Sequence, residues 1–185
     1  MNQKRLRAVA VLAFGAAVAA AWPAGNGHVA VPNVAPRAGD VASIDGMIKA
    51  WYEVITGPAG QPRQWARDRT LYIPDMRFVS TSTEAGAVQA RVSSHQAYVD
   101  ASDGEMVQKG FFEKEIHRVT QQYGPIAHVW STYETRETDN GPVTARGINS
   151  IELYWDGKRW WIANAMWADE SKGQPIPPQY LPARG

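Results

Sequence analysis

The chain has 185 residues, of which 44% are apolar, 20% charged and 10% aromatic, with no cysteine and a net charge of +1. That balance describes one ordinary globular domain and excludes disulfide scaffolds, thiolate metal sites and thiol nucleophiles. Lys4, Arg5 and Arg7 are three of the 19 basic residues, so the rest of the chain sets 16 basic against 18 acidic residues, a near-neutral body with no electrostatic footprint for nucleic acid.

Lys4, Arg5 and Arg7 precede a run, residues 8–21, that is apolar except for Gly15 and ends in Ala19, Ala20 and Ala21, the small residues a signal peptidase requires. It reads as a signal peptide cleaved after Ala21, with export to the periplasm or the exterior. Such a run spans about 21 Å as a helix against a hydrocarbon core of about 30 Å, so no stable membrane span is expected after cleavage. Residues 22–39, with Pro23, Pro32, Pro36 and three glycines, predict a flexible leader. The folded domain is expected over 40–171, and residues 172–185, with Pro175, Pro177, Pro178 and Pro182, read as an extended tail.

Asp40 is placed to cap a first helix, whose Val41, Ile44, Ile48, Trp51 and Ile55 form one apolar stripe ended by Gly57 and Pro58. Pro62 opens a second helix carrying Trp65 and Leu71, ended by Pro74. Residues 76–83 and 87–93 predict a hairpin around Glu84-Ala85-Gly86. Ser93 with Gln96 has the form of a capping box for a third helical stretch, with a break at Asp103-Gly104 before Lys109. After Gly110 the period changes to two, and strands are predicted over 111–123, 126–137, 143–155 and 158–168. Gly124-Pro125, Asp139-Asn140-Gly141-Pro142 and Asp156-Gly157 turn the chain between them, which makes an antiparallel meander. Helices first and a meander second mean an α+β fold whose sheet curls around the helical stripe.

The order of elements, together with Phe111-Phe112-Glu113-Lys114-Glu115-Ile116, the stretch from Gly124-Pro125 to Tyr133-Glu134, Arg146-Gly147-Ile148-Asn149-Ser150-Ile151, and Gly157-Lys158-Arg159-Trp160-Trp161-Ile162 followed by Trp167, resembles the nuclear transport factor 2-like superfamily. This superfamily is also called SnoaL-like or ketosteroid-isomerase-like. The resemblance covers residues 40–170 and implies a cone: a curved antiparallel sheet, a cystatin-like α+β barrel, wrapped around N-terminal helices over a deep pocket. It also implies a dimer formed through the sheet. Function does not follow from the fold, which hosts isomerases, dehydratases, cyclases, hydrolases and members with no known catalysis. The isomerases' acidic base with a tyrosine and a protonated acid, and the dehydratases' His pair with Asp and Tyr, do not match residue by residue. No catalytic role is carried over.

Alternation assigns Asn149, Ile151, Leu153 and Trp155 to the concave side, and likewise Ala127, Val129, Ser131 and Tyr133. In the first long strand it groups Phe111, Glu113, Glu115, His117 and Val119 inward, against Lys114, Ile116, Arg118 and Thr120. Glu113, Glu115 and His117 are thus candidate acid/base groups, with Asn149, Ser131 and Tyr133 as candidate binding residues of the same cavity. Tyr52 and Tyr98 are further hydroxyl donors or core members. Two structural alternatives stay open: pairing of Glu113 or Glu115 with Arg146 or Arg91, or an inverted face that leaves all three groups in solvent. Three side chains along one flat strand cannot converge on one ion, so no metal is expected, nor any other cofactor. The expectation is an exported pocket protein binding a small, largely apolar molecule, with turnover open. The alternatives are a lyase, isomerase or hydrolase using Glu/His chemistry, and a non-catalytic dimerisation module. A homodimer is expected through a convex patch of His128, Trp130, Trp161 and Trp167.

Overall fold

The computed structural model describes residues 27–84 and 86–183, so the predicted signal peptide lies outside the described residues. Among the described residues, four α-helices, α1 (Ala38–Val41), α2 (Ile44–Ile55), α3 (Trp65–Arg69) and α4 (His95–Lys109), accompany six strands and a short 3-10 turn at Pro178–Tyr180. These are β1 (Tyr72–Glu84), β2 (Ala87–Ser94), β3 (Phe112–Tyr123), β4 (Ile126–Arg136), β5 (Ala145–Trp155) and β6 (Trp160–Asp169). They form one curved, unclosed sheet in the order β2-β1-β6-β5-β4-β3. Every pairing is antiparallel except β1 with β6, which is parallel because the whole meander lies between them.

The first helix departs from its predicted form. Ser43, in extended backbone, interrupts the stripe, and its Oγ accepts the Gly46 N–H, so Ser43 and not Asp40 is the cap of α2. Asp40 is buried and bound bidentately by Arg67, whose Nε and Nη2 donate at 2.7 and 2.8 Å. That guanidinium holds the Asp40 carboxyl below the usual carboxylate range. A Cβ at Gly46 would overlap the Gly39 carbonyl, so the α1–α2 corner requires glycine there. Pro62 lies in coil ahead of α3. Ser94, not Ser93, caps α4, its Oγ accepting the Ala97 N–H; the helix then runs through Gly104 unbroken.

The concave side of the sheet is filled rather than hollow. Met47, Ile48, Val54 and Trp51 of α2 pack on Val129, Ile151, Leu153, Ile162 and Ala165, all buried. Trp51, Tyr72, Phe78, Tyr98 and Trp167 form an aromatic cluster beside them, with ring centroids 4.7–6.2 Å apart. The expected broad apolar cup is therefore occupied by the protein's own core.

Both flanks dock. Asp100 Oδ1 accepts the Val29 N–H, Gln96 donates to the Val29 carbonyl and Arg69 to the Val31 carbonyl, fixing part of the predicted flexible leader. The proline-rich tail crosses the convex face: Ile176 is buried, Thr132 Oγ1 donates to the Tyr180 carbonyl at 2.6 Å, and Tyr180 stacks on Trp130. Prolines forbid strand or long helix there, but side-chain docking needs neither.

Candidate functional site

Strand β3 does not keep its alternation. Glu113 pairs with Thr135 and Glu115 with Tyr133, but His117 pairs with Thr132 and Arg118 with Ser131, so Ile116 is an extra residue opposite β4. This bulge reverses the faces beyond it. Glu113 and Glu115 stay concave, whereas His117 turns to the convex side with Val119, and Arg118 takes the concave place expected of His117. The three-member row predicted from the alternation is therefore not formed. A second bulge, at Ala163 of β6, brings Trp167 opposite Asn149 and into the aromatic cluster, which removes it from the convex patch. Trp130 of that patch is covered by Tyr180, and Trp161 lies under the Arg159 guanidinium, with its Nε1 donating to Asp156.

Four elements converge at the open edge of β3. Tyr52 projects from the last turns of α2, Asn149 from β5, Ser131 from β4, and Glu113 and Glu115 from β3. Tyr52 Oη and Ser131 Oγ are 2.6 Å apart, Ser131 Oγ donates to Glu115 Oε1 at 2.5 Å, and Asn149 Nδ2 donates to Tyr52 Oη at 3.2 Å. Arg118 closes the chain, donating from Nε to Glu115 Oε1 at 2.8 Å and from Nη2 to Oε2 at 2.6 Å, and from Nη1 to Asp45 on α2. Glu115 is thus paired within its own strand, and Arg146 is engaged by Glu170. A cleft of about 310 Å³ opens over this chain, lined by Lys49, Tyr52, Glu53, Thr56, Glu113, Lys114, Glu115 and Arg118.

Glu113 is the distinctive member. The Thr56 hydroxyl accepts its backbone N–H and donates to its carbonyl, both at 3.1 Å, which pins β3 to the end of α2. Burial, with the Asp169 carboxylate beside it, pushes its carboxyl up to about 8, while a hydrogen bond from Asn149 pulls the other way. Near neutrality Glu113 therefore carries a proton. Tyr52 is raised well above the ordinary phenol range, first by burial and next by the Glu113 charge, and stays a neutral hydroxyl. Tyr133 is buried, 4% exposed, its hydroxyl donating to Asp169 at 2.5 Å, and does not line the cleft.

Of the residues singled out in the sequence, Glu113, Glu115, Ser131 and Asn149 come together, Tyr133 is buried without lining the cleft, and His117 is excluded. Tyr52 had a visible signal, a hydroxyl within the stripe of Ile48, Trp51 and Ile55. Arg118 had none, because no glycine or other local mark announces the bulge. Among the described residues, no three His, Asp or Glu side chains gather to hold a metal ion, and no helix is long and apolar enough to cross a membrane.

No family model and no curated protein matches the chain. Among solved structures it is similar to a cystatin-like protein of unknown function from Nostoc punctiforme, at 6% identity over 76% of this chain and 92% of that one, with a TM-score of 0.53. It is also similar to a putative calcium/calmodulin-dependent kinase II association domain from Exiguobacterium sibiricum, at 12% identity over 75% and 98%, with a TM-score of 0.51. A nuclear transport factor 2-like protein of unknown function from Silicibacter pomeroyi is matched at 15% identity over 70% and 94%, with a TM-score of 0.44. At these identities the first two likenesses are ones of fold alone.

Proposed function

We propose that this chain, which has the cystatin-like α+β cone of the nuclear transport factor 2-like superfamily, binds a small molecule in the cleft between α2 and β3, with the Glu113 carboxyl meeting the ligand's polar group. The observation that carries this reading is that Tyr52, Glu113, Glu115 and Arg118 line one open cleft, with the buried Ser131 and Asn149 hydrogen-bonded to them from beneath. Pre-arranged polar side chains beside a cavity are what a specific small-molecule site needs. The lining residues are charged or hydroxylic at their tips, while the surface they turn to the cleft is mostly side-chain carbon, so the ligand is small and largely apolar with one hydrogen-bonding group.

Turnover is a second reading, favoured by one observation: a carboxyl pushed up to about 8 is poised to give or take a proton near neutral pH. It would serve a lyase, isomerase or hydrolase that moves a single proton, with Glu113 in place of the excluded His117. The test is a thermal-shift and ligand-observed NMR screen of small alcohols, ketones and acids against the wild type and Glu113→Gln. The amide preserves volume, so binders of the wild type are expected to lose the variant while its melting stays cooperative. Compounds that bind both proteins equally would overturn the reading.

Export and self-association complete the proposal. N-terminal sequencing of the exported product tests cleavage after Ala21. A second copy is expected on the convex strip that the tail leaves open, where Val88, Val92 and Met166 are 73%, 61% and 40% exposed. Light scattering that reports a monomer at micromolar concentration rejects the pairing.

A further inference from the structure

The hydrogen-bond chain beneath the cleft has only one consistent direction. Glu115 is held by three donors, Arg118 Nε and Nη2 and the Ser131 hydroxyl, and a paired carboxylate has only lone pairs to offer. Ser131 has a single hydroxyl proton, and it is committed to Glu115. At the 2.6 Å contact Ser131 Oγ can then only accept, so the proton between the two hydroxyls belongs to Tyr52. Tyr52 Oη in turn accepts from Asn149 Nδ2. The order is Asn149 to Tyr52 to Ser131 to Glu115, each bond polarising the next toward the ion pair. Tyr52 has no proton left for the cleft and presents only a lone pair.

We propose that Glu115, acting through Ser131, fixes Tyr52 as a hydrogen-bond acceptor, so that the cleft selects a ligand hydroxyl over a carbonyl. This rests on the reading that the cleft binds a small molecule at Glu113. Tyr52 and Glu113 both line the cleft, with the buried Asn149 amide bonded to Tyr52 beneath it, so a ligand oxygen seated between the two meets both. The protonated Glu113 carboxyl donates to it and Tyr52 Oη accepts from it. A hydroxyl satisfies both at once. A ketone oxygen can take the Glu113 proton but faces the Tyr52 lone pair with one of its own, an unpaired acceptor contact in a partly dry site. Glu115 and Ser131 touch no ligand in this arrangement; they are positioning residues. Arg118 is what keeps Glu115 an acceptor, and it is present only because the Ile116 bulge turns it inward.

The experiment uses a matched pair, cyclohexanol and cyclohexanone, titrated into the full chain and followed by chemical shifts of the cleft residues. Wild type is expected to bind the alcohol at least about tenfold more tightly than the ketone. Tyr52→Phe is expected to erase that preference by weakening the alcohol alone, since the acceptor goes and the ring stays. Ser131→Ala releases the Tyr52 proton and is expected to strengthen ketone binding, a change that a merely structural role for Ser131 would not produce. If Ser131→Ala fails to fold, Tyr52→Phe decides. Equal or ketone-favoured binding that Glu113→Gln still abolishes overturns this inference and leaves the cleft reading standing. A preference that survives Tyr52→Phe also overturns it. Failure of both compounds, with no cleft binder among the screened alcohols, ketones and acids, overturns the cleft reading and this inference with it.

Discussion

Glu113 links the cleft to stability through its proton. Its carboxyl is pushed up to about 8 in the folded chain against 4.5 as the ordinary value, so between these limits the native state holds the proton and the unfolded state releases it. The stabilisation is complete below about pH 4.5 and is lost as pH rises through about 8. Urea melts are therefore expected to show stability falling across that window by on the order of 2 kcal/mol, less than the full shift implies because the carboxyl lines an open cleft. Glu113→Gln is expected to remove this slope, and an unchanged slope would place the titration elsewhere. Glu115 responds differently. Glu115→Leu strands Arg118 and the Ser131 hydroxyl and is expected to cost about 2–3 kcal/mol, whereas Glu115→Gln keeps two acceptor contacts and costs about 1 kcal/mol. A Cβ at Gly147 would run into the Tyr133 ring and hydroxyl and the Ala168 carbonyl, backbone that cannot step aside. Gly147→Ala is expected to cost about 2–4 kcal/mol in the same melts and to disturb the Tyr133–Asp169 hydrogen bond.

Strand β3 owes its chemistry to one inserted residue. Before the bulge its concave side carries Glu113 and Glu115; beyond it the side passes to Arg118, Thr120 and Gln122, opposite Ser131, Val129 and Ala127. Deleting Ile116 would remove the extra residue and leave His117 opposite Thr132 and Arg118 opposite Ser131, so the bidentate pair with Glu115 and its tie to Asp45 on α2 are expected to persist in a folded sheet. A stability lowered by about 2–4 kcal/mol in urea melts, the scale of a lost pair, would show that the extra residue itself aims the guanidinium. Helix α2 is held by Ser43 at its start and by Thr56 clasping the Glu113 backbone just past its end. Tyr52, about one turn before that clasp, is positioned by both. Ser43→Ala is accordingly expected to cost about 1 kcal/mol and to leave the cleft bonds intact.

Across the whole molecule, the sheet has a core side and a strapped side. The tail buries Ile176, stacks Tyr180 on Trp130 and receives the Thr132 hydroxyl, while the Ile176 N–H donates to a Glu170 carboxylate that also pairs with Arg146. Truncation after Glu170 is expected to lower stability by about 2–4 kcal/mol, from lost apolar burial, and to open Trp130 to acrylamide quenching. Quenching equal to that of the full chain would show that the strap does not cover Trp130 in solution. The cleft lies on the opposite face, so ligand binding by the truncated chain is expected to persist wherever the fold does.

Local chemistry alone determined much of this protein. The turns at Gly124-Pro125, Asp139 to Pro142 and Asp156-Gly157 set the meander because their backbone requirements are met within a few residues. The uniform alternation of β4 and β5 placed Ser131, Tyr133 and Asn149 inward because no bulge intervenes between them. What only the tertiary structure decided depends on partners distant in sequence. Asp40 leaves the cap because Arg67, 27 residues on, offers two hydrogen bonds. The prolines of the tail rule out regular structure without revealing that Trp130 and Thr132 await it. The exchange of His117 for Arg118 arises where β3 must match β4 while meeting α2 at Thr56 and Asp45, a constraint that no window of β3 contains.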